Sequence, residues 1–314
     1  MARSYLVFAK KLGLFILIVF ILDYSLGRLM EHYYFEIDAL TAEQHTTYSV
    51  DYADADVMVF GSSRAQHHYD PEAFASFASS FYNTGKDGQG IFYSWAILKS
   101  LLKRSTSPKT IVLDINPNEF VKNQDSYDRL SELLPYYHEH DEIKDIVNLK
   151  SRFEKFKAIS NLYRYNSKIL TIVKDNLLPT DDPMENGFEP IEASNRNLEL
   201  SEVDDQDIVD SLEIEAFIGF LKDAKEAGNE VYVFVSPVYR TYRGGMTTSI
   251  RITEEICKEL DVPFFTYHKD SLFLRSPSYF SDPTHLNETG ARVYSDDVCN
   301  KIRAERGIST MASD

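Results

Sequence analysis

In Ser281-Asp282-Pro283-Thr284-His285-Leu286-Asn287 an aspartate stands three residues ahead of a histidine. One turn of loop can bring that carboxylate to the imidazole Nδ1, leaving Nε2 to accept a proton, so the pair is a general base with its orienter. Such a base needs a nucleophile. A candidate stands far upstream, where the β-type run Val57-Met58-Val59-Phe60 stops at Gly61-Ser62-Ser63-Arg64. The two ends of the chain together predict an esterase-type serine site.

For these segments to meet, the chain between them must form a sheet. Strand-like runs occur at 57–60, 80–83, 110–115, 231–235 and 263–267, with helical spacing at 92–103, 214–227 and 252–260 and again after His285. This alternation is the mark of βαβ units and a parallel sheet, and no internal repeat is visible. The rhythm breaks between about 121 and 210, where helical stretches and an acidic, loop-like segment (181–207) show no strand pattern. That region is expected to be a partly helical insertion over or beside the sheet, and 37–55 reads as a polar connector. Ligands bind at the carboxyl ends of parallel strands. Gly61-Ser62-Ser63, the turn Gly85-Lys86-Asp87-Gly88, Asn116 and the Asp282/His285 loop should therefore share one edge.

The chain has 314 residues, enough for one large domain or two small ones, and its 20 Tyr and 20 Phe exclude a disordered chain. A formal net charge of −16 argues against a nucleic-acid partner. Cys257 and Cys299 lie in helical patterns and read as small buried apolar residues rather than as a disulfide. No metal-ligand spacing is present and no cofactor is expected; His138-Glu139-His140 reads as a polar loop.

At the N-terminus, Lys10-Lys11 precede an apolar stretch from Leu12 to Gly27 interrupted by Asp23. It is short for a span, but aromatic flanks (Tyr5, Phe8, Tyr33, Tyr34, Phe35) can extend it through the interfaces. No small-x-small cleavage site follows. The reading is an uncleaved signal anchor (residues 1–36), preferred to a cleaved signal or a core helix. Arg3, Lys10 and Lys11 would then stay in the cytoplasm and the remainder outside it. Residues 37–308 would form the α/β domain and 309–314 a tail.

These motifs resemble the SGNH/GDSL hydrolase superfamily, which implies a flavodoxin-like three-layer α/β sandwich. Gly61-Ser62-Ser63 is similar to its first block, with Ser63 at the nucleophile position. Asn83-Thr84-Gly85-Lys86-Asp87-Gly88 is similar to the second, which implies the Gly88 amide as an oxyanion donor beside that of Ser63. Asp114-Ile115-Asn116-Pro117 falls at the third, implying the Asn116 carboxamide, and Asp282-Pro283-Thr284-His285 at the fifth. The resemblance covers roughly 55–120 and 230–305. Two departures stand out: Ser-Ser-Arg replaces Asp-Ser-Leu, and Asp114 and Pro117 replace Gly and Asp. With the anchor, the first block is similar to a branch of envelope proteins of the D-alanine transfer and alginate O-acetylation type. That branch implies acylated glycan or a small ester as substrate and a membrane-bound O-acyltransferase as partner. Two functions follow: a membrane-anchored serine esterase or O-acyltransferase on extracytoplasmic carbohydrate, or a non-catalytic scaffold for such an acyltransferase.

Three arginines are candidates for substrate contact. Arg64 either orients its loop, meets an anionic acyl donor or forms a surface salt bridge. Arg240 and Arg243 belong to Ser236-Pro237-Val238-Tyr239-Arg240-Thr241-Tyr242-Arg243-Gly244-Gly245, a loop with a Gly-Gly hinge suited to sugar or acidic glycan. His67 and His68 read as loop residues.

Overall fold

The computed structural model describes residues 2–37, 44–178, 185–194, 197–206 and 208–307; the tail 309–314 lies outside them. Strands β1 (Val57–Phe60), β2 (Phe81–Asn83), β3 (Thr110–Asp114), β5 (Glu230–Val235) and β7 (Phe264–Thr266) form one sheet in the order β2-β1-β3-β5-β7. Every pairing in it is parallel. β1, β3 and β5 are apolar on both faces because helices cover both. Met58, Phe60, Ile111, Leu113, Val231 and Val233 pack toward helices α3 (Ile91–Lys103) and α5 (Ser211–Glu226). Their neighbours Val57, Val59, Val112, Tyr232 and Phe234 pack toward helix α7 (Glu288–Glu305). The result is the expected three-layer flavodoxin-like sandwich. Its strand order reverses between β1 and β3, which makes that gap the switch point where ligands bind.

Two expectations are corrected. A strand does occur in the insertion: β4 (Ser201–Val203) pairs in parallel with β6 (Arg240–Tyr242), so the expected loop at 236–245 contains half of a two-stranded ribbon. β4 is three residues long and largely exposed, so it carries no hydrophobic alternation to read. The polar connector is also not a solvated link, since residues 44–47, 49 and 50 are buried. His45 Nε2 sits 2.7 Å from the Asn83 carbonyl, and burial pushes its pKa down to about 3.

Helix α1 (Ala2–Phe35) has two parts. From Arg3 to Leu22 every residue is exposed, Phe15 at 63%, and this helix is long and apolar enough to cross a membrane. From Asp23 onward it docks on the insertion. Asp23 accepts hydrogen bonds from the Asn161 amide at 2.9 Å and the Ser160 hydroxyl, so the acidic interruption caps a loop of the insertion. A Cβ on Gly27 would collide with Asn161, and Tyr34, 1% exposed, bonds Tyr136 at 3.0 Å.

Candidate active site

Ser63 opens helix α2 (Ser63–His68), directly after β1 and at the switch point. The turn between them needs Gly61: its φ is +145°, and a Cβ would lie 2.7 Å from the Asp114 carbonyl oxygen. Ser63 Oγ lies 2.8 Å from His285 Nε2, and His285 Nδ1 lies 2.8 Å from Asp282 Oδ2. The three residues named from sequence are thus brought into one relay. Asp282 is fixed by its own loop, its Oδ1 accepting from the Thr284 amide and hydroxyl, both at 2.7 Å, and from the His285 amide at 3.0 Å. Partial burial alone would raise its pKa. The hydrogen bonds from His285 and Thr284 outweigh that and hold the carboxyl well below the usual carboxylate range.

The loop carrying His285 is clamped to α2 by His68. Leu286 N–H donates to His68 Nε2 at 2.9 Å, so the opposite nitrogen, 3.0 Å from Ser236 Oγ, carries the proton. Burial, then the nearby Arg64 charge, keep this imidazole far below its ordinary pKa and neutral. His67 Nδ1–H donates to the Glu189 carbonyl at 2.5 Å, and its Nε2 meets Asp87 at 2.9 Å. Its ring stands edge-on to that of His285, centroids 5.8 Å apart. Neither is a loop residue, which corrects that expectation: both lie on α2 and are buried. Two consecutive histidines after a Gly-Ser-Ser turn were the only signal in the sequence.

Arg64 is corrected more sharply. It is 1% exposed, so of its three readings the orienting role fits and the surface salt bridge does not. Its Nη2 donates to Asp114 Oδ1 at 2.9 Å and to the Ile115 carbonyl at 2.5 Å, and Nη1 donates to the Ser236 carbonyl at 3.3 Å. Arg243, 70% exposed at its side chain, pairs with Asp204 at 3.1 Å and Glu202 at 3.6 Å across the β4–β6 ribbon. Arg240 begins β6 one residue after Tyr239, whose amide donates to the Pro283 carbonyl at 2.9 Å; its buried Nε has no partner among the described residues. Arg64 Nε is likewise buried without a partner among the described residues, and of the three arginines Arg240 is the one next in sequence to a residue bonded to the Asp282 loop.

Gly88 and Asn116 line one cleft of about 280 Å³ with Ser62, Glu119, Arg129 and Glu213. Gly88 has φ +71°, and its carbonyl accepts from Arg129 Nη1 at 2.5 Å. Asn116 is held by two contacts: its amide N–H donates to Glu119 Oε2 at 3.1 Å, and its Oδ1 accepts from the Asn118 amide at 3.0 Å. The carboxamide NH₂ is left to donate elsewhere. Burial pushes Glu119 up to about 7 and, with the Glu119 charge adding, Glu213 up to about 8. Ser62 Oγ and Glu213 Oε2 are buried without a partner among the described residues. No cluster fit to hold a metal occurs among the described residues, and Cys257 and Cys299 are free and buried.

No family model and no curated protein matches this chain. Among solved structures, a Bacteroides fragilis protein described provisionally as an acylhydrolase is similar over 84% of this chain and 98% of its own, at 12% identity and a TM-score of 0.40. At that score the likeness carries no argument, so the site stands on its own geometry.

Proposed function

We propose that this chain is a serine esterase or O-acyltransferase of SGNH type, anchored through α1 and acting on acyl esters of extracytoplasmic carbohydrate. The observation that carries the reading is the continuous Ser63–His285–Asp282 relay, closed at 2.8 Å on both links. In the reaction, Ser63 Oγ attacks the ester carbonyl carbon while its proton passes to His285 Nε2. Asp282, ionised, steadies the imidazolium formed. The amides of Ser63 and Gly88 and the Asn116 carboxamide hold the oxyanion. When the tetrahedral adduct collapses, the leaving alkoxide takes the proton from His285 and the acyl group stays on Ser63. Water or a sugar hydroxyl then repeats the sequence in reverse and frees the serine.

The cleft beside the relay supports a hydroxyl-rich substrate. Its walls are carboxyl, amide, hydroxyl and guanidinium groups. Glu213, whose pKa stands above neutrality, is a protonated acid that can donate as well as accept. Such a lining suits a sugar and disfavours an alkyl chain. Arg240 is the further contact we assign to substrate, and a membrane-bound O-acyltransferase is the partner that would supply or receive the acyl group.

The test is labelling and turnover. Wild type should react with a serine-directed fluorophosphonate and release acetate from an aryl acetate, and Ser63→Ala should do neither. A folded wild type that is inert to both would point instead to the non-catalytic scaffold.

A further inference from the structure

The insertion carries an apolar foot at the level where α1 meets the domain. Phe153, Phe156 and Ile159 are 53%, 60% and 66% exposed. Phe156 lies on the short helical turn Glu154–Lys157, with Phe153 just before it and Ile159 just after, while Glu154 and Ala158 are buried beneath. The next residues, Ser160 and Asn161, bond Asp23, the first α1 residue to touch the domain. Arg152 and Lys155 stand over the Phe153 and Phe156 rings, so the aromatic patch has a cationic rim in a chain of net charge −16.

We propose that this foot inserts into the interfacial layer of the bilayer and is a second membrane contact of the chain. The inference rests on α1 being a membrane span. With Lys10 and Lys11 at the cytoplasmic interface, the exposed apolar run Leu12–Leu22 is about 16 Å long at 1.5 Å per residue, shorter than a hydrocarbon core, so the outer leaflet reaches the point where α1 meets the domain. Asp23 therefore stands at the membrane surface, and the loop bonded to it, with Ile159 one residue away, stands there too. Aromatic and aliphatic side chains at that depth leave water, while the rim cations meet lipid phosphates. The lipid surface is favoured over a protein occupant because the patch continues the apolar surface of α1 and carries the charge that anionic headgroups attract. Two contacts fix the tilt of the domain, which a lone helix does not.

The experiment uses the full chain in vesicles of phosphatidylcholine with and without phosphatidylglycerol. A polarity-sensitive fluorophore is placed at Phe156→Cys and, as a control, at Asp296→Cys, an exposed position on α7 across the sheet. The native cysteines are buried and will not compete. The expected result is a blue-shifted emission at 156, lost to spin-labelled lipid and insensitive to aqueous iodide, with the opposite behaviour at 296. Phosphatidylglycerol should strengthen the shift, and a combined Arg152→Gln and Lys155→Gln variant should remove that gain. A chain that survives alkaline washing while the label at 156 is as open to iodide as that at 296 overturns the foot and leaves the anchor standing. A chain stripped by the wash overturns the anchor, and the foot with it.

Discussion

Arg64 and Asp114 form an ion pair 2.9 Å long with both side chains sealed from solvent, spanning the switch point between β1 and β3. These are two positions at which the sequence departs from the motifs it resembles: an arginine after Ser63, and an aspartate at 114 where the resembled block has glycine. The departures answer each other. Tyr69 completes the arrangement by donating to Asp114 Oδ2 at 2.8 Å. Burial raises the Asp114 pKa, and the Arg64 charge and the Tyr69 hydroxyl work against that.

This pairing predicts strongly non-additive stability. Arg64→Leu leaves a buried carboxylate alone, and Asp114→Asn leaves a buried guanidinium alone, so each should lose about 3–5 kcal/mol. Asn is chosen because it still accepts from Tyr69. The double variant removes both charges and should be more stable than either single one. Urea unfolding read by far-UV circular dichroism checks this, and strictly additive losses would mean the pair is not coupled.

For the relay, Ser63→Ala and His285→Ala should each abolish aryl acetate turnover with an unchanged melting temperature. Ser63 opens α2 beyond the carboxyl end of β1, so its hydroxyl contributes little packing. Asn116→Ala should cost about 10²- to 10³-fold if its carboxamide is one oxyanion donor among three. The double variant of Ser63 and His285 should be no slower than either single one, because residues acting as one unit are not additive. Undiminished activity in Ser63→Ala would move the nucleophile to Ser62.

His68 is a positioning residue, and its removal should show as such. His68→Phe strands the Leu286 amide and loosens the loop holding His285. A displacement of about 1 Å there costs on the order of 100-fold in kcat. KM and the shape of the pH profile should hold, since the group that titrates is unchanged. His68→Gln, which can still accept from Leu286, should recover much of the loss; equal defects in Phe and Gln would mean the clamp is not what matters.

The legible parts of this molecule were those that obey local rules. Val57–Phe60 and Val231–Val235 are apolar runs that must be buried on both faces, and the helices between them set a parallel order. Ser63 and His285 lie at the ends of elements, so the topology alone puts them on one edge. Arg64 was not legible, because an arginine is buried only when a partner elsewhere in the chain meets it, and Asp114 is 50 residues away. The same holds for His45 and His68, whose partners are the Asn83 carbonyl and the Leu286 amide, and for β4, which exists only because β6 pairs with it. Asp23 looked like a flaw in an apolar helix until the Ser160–Asn161 loop was seen to sit on it.

Glu213 predicts a stability that falls with rising pH. Its folded pKa, about 8, stands above the ordinary 4.5 because it is buried. Between those values the native state keeps a proton that the unfolded chain has released, so the native state binds more protons and loses stability as pH rises. The loss begins near the unfolded pKa and is complete once pH exceeds the folded one. Glu213→Gln keeps the shape and a hydrogen-bonding amide but cannot ionise. Melting temperatures of wild type and variant should be similar near pH 4 and diverge upward from there, the variant being the more stable near pH 8. In a Glu213→Ala variant KM for a carbohydrate ester should rise while turnover of a small aryl acetate is spared, because the proposed sugar contact is lost and the oxyanion donors Gly88 and Asn116 are kept. A constant difference in melting temperature across the pH range would mean that Glu213 is ionised in the native state and that the cleft does not hold a neutral acid.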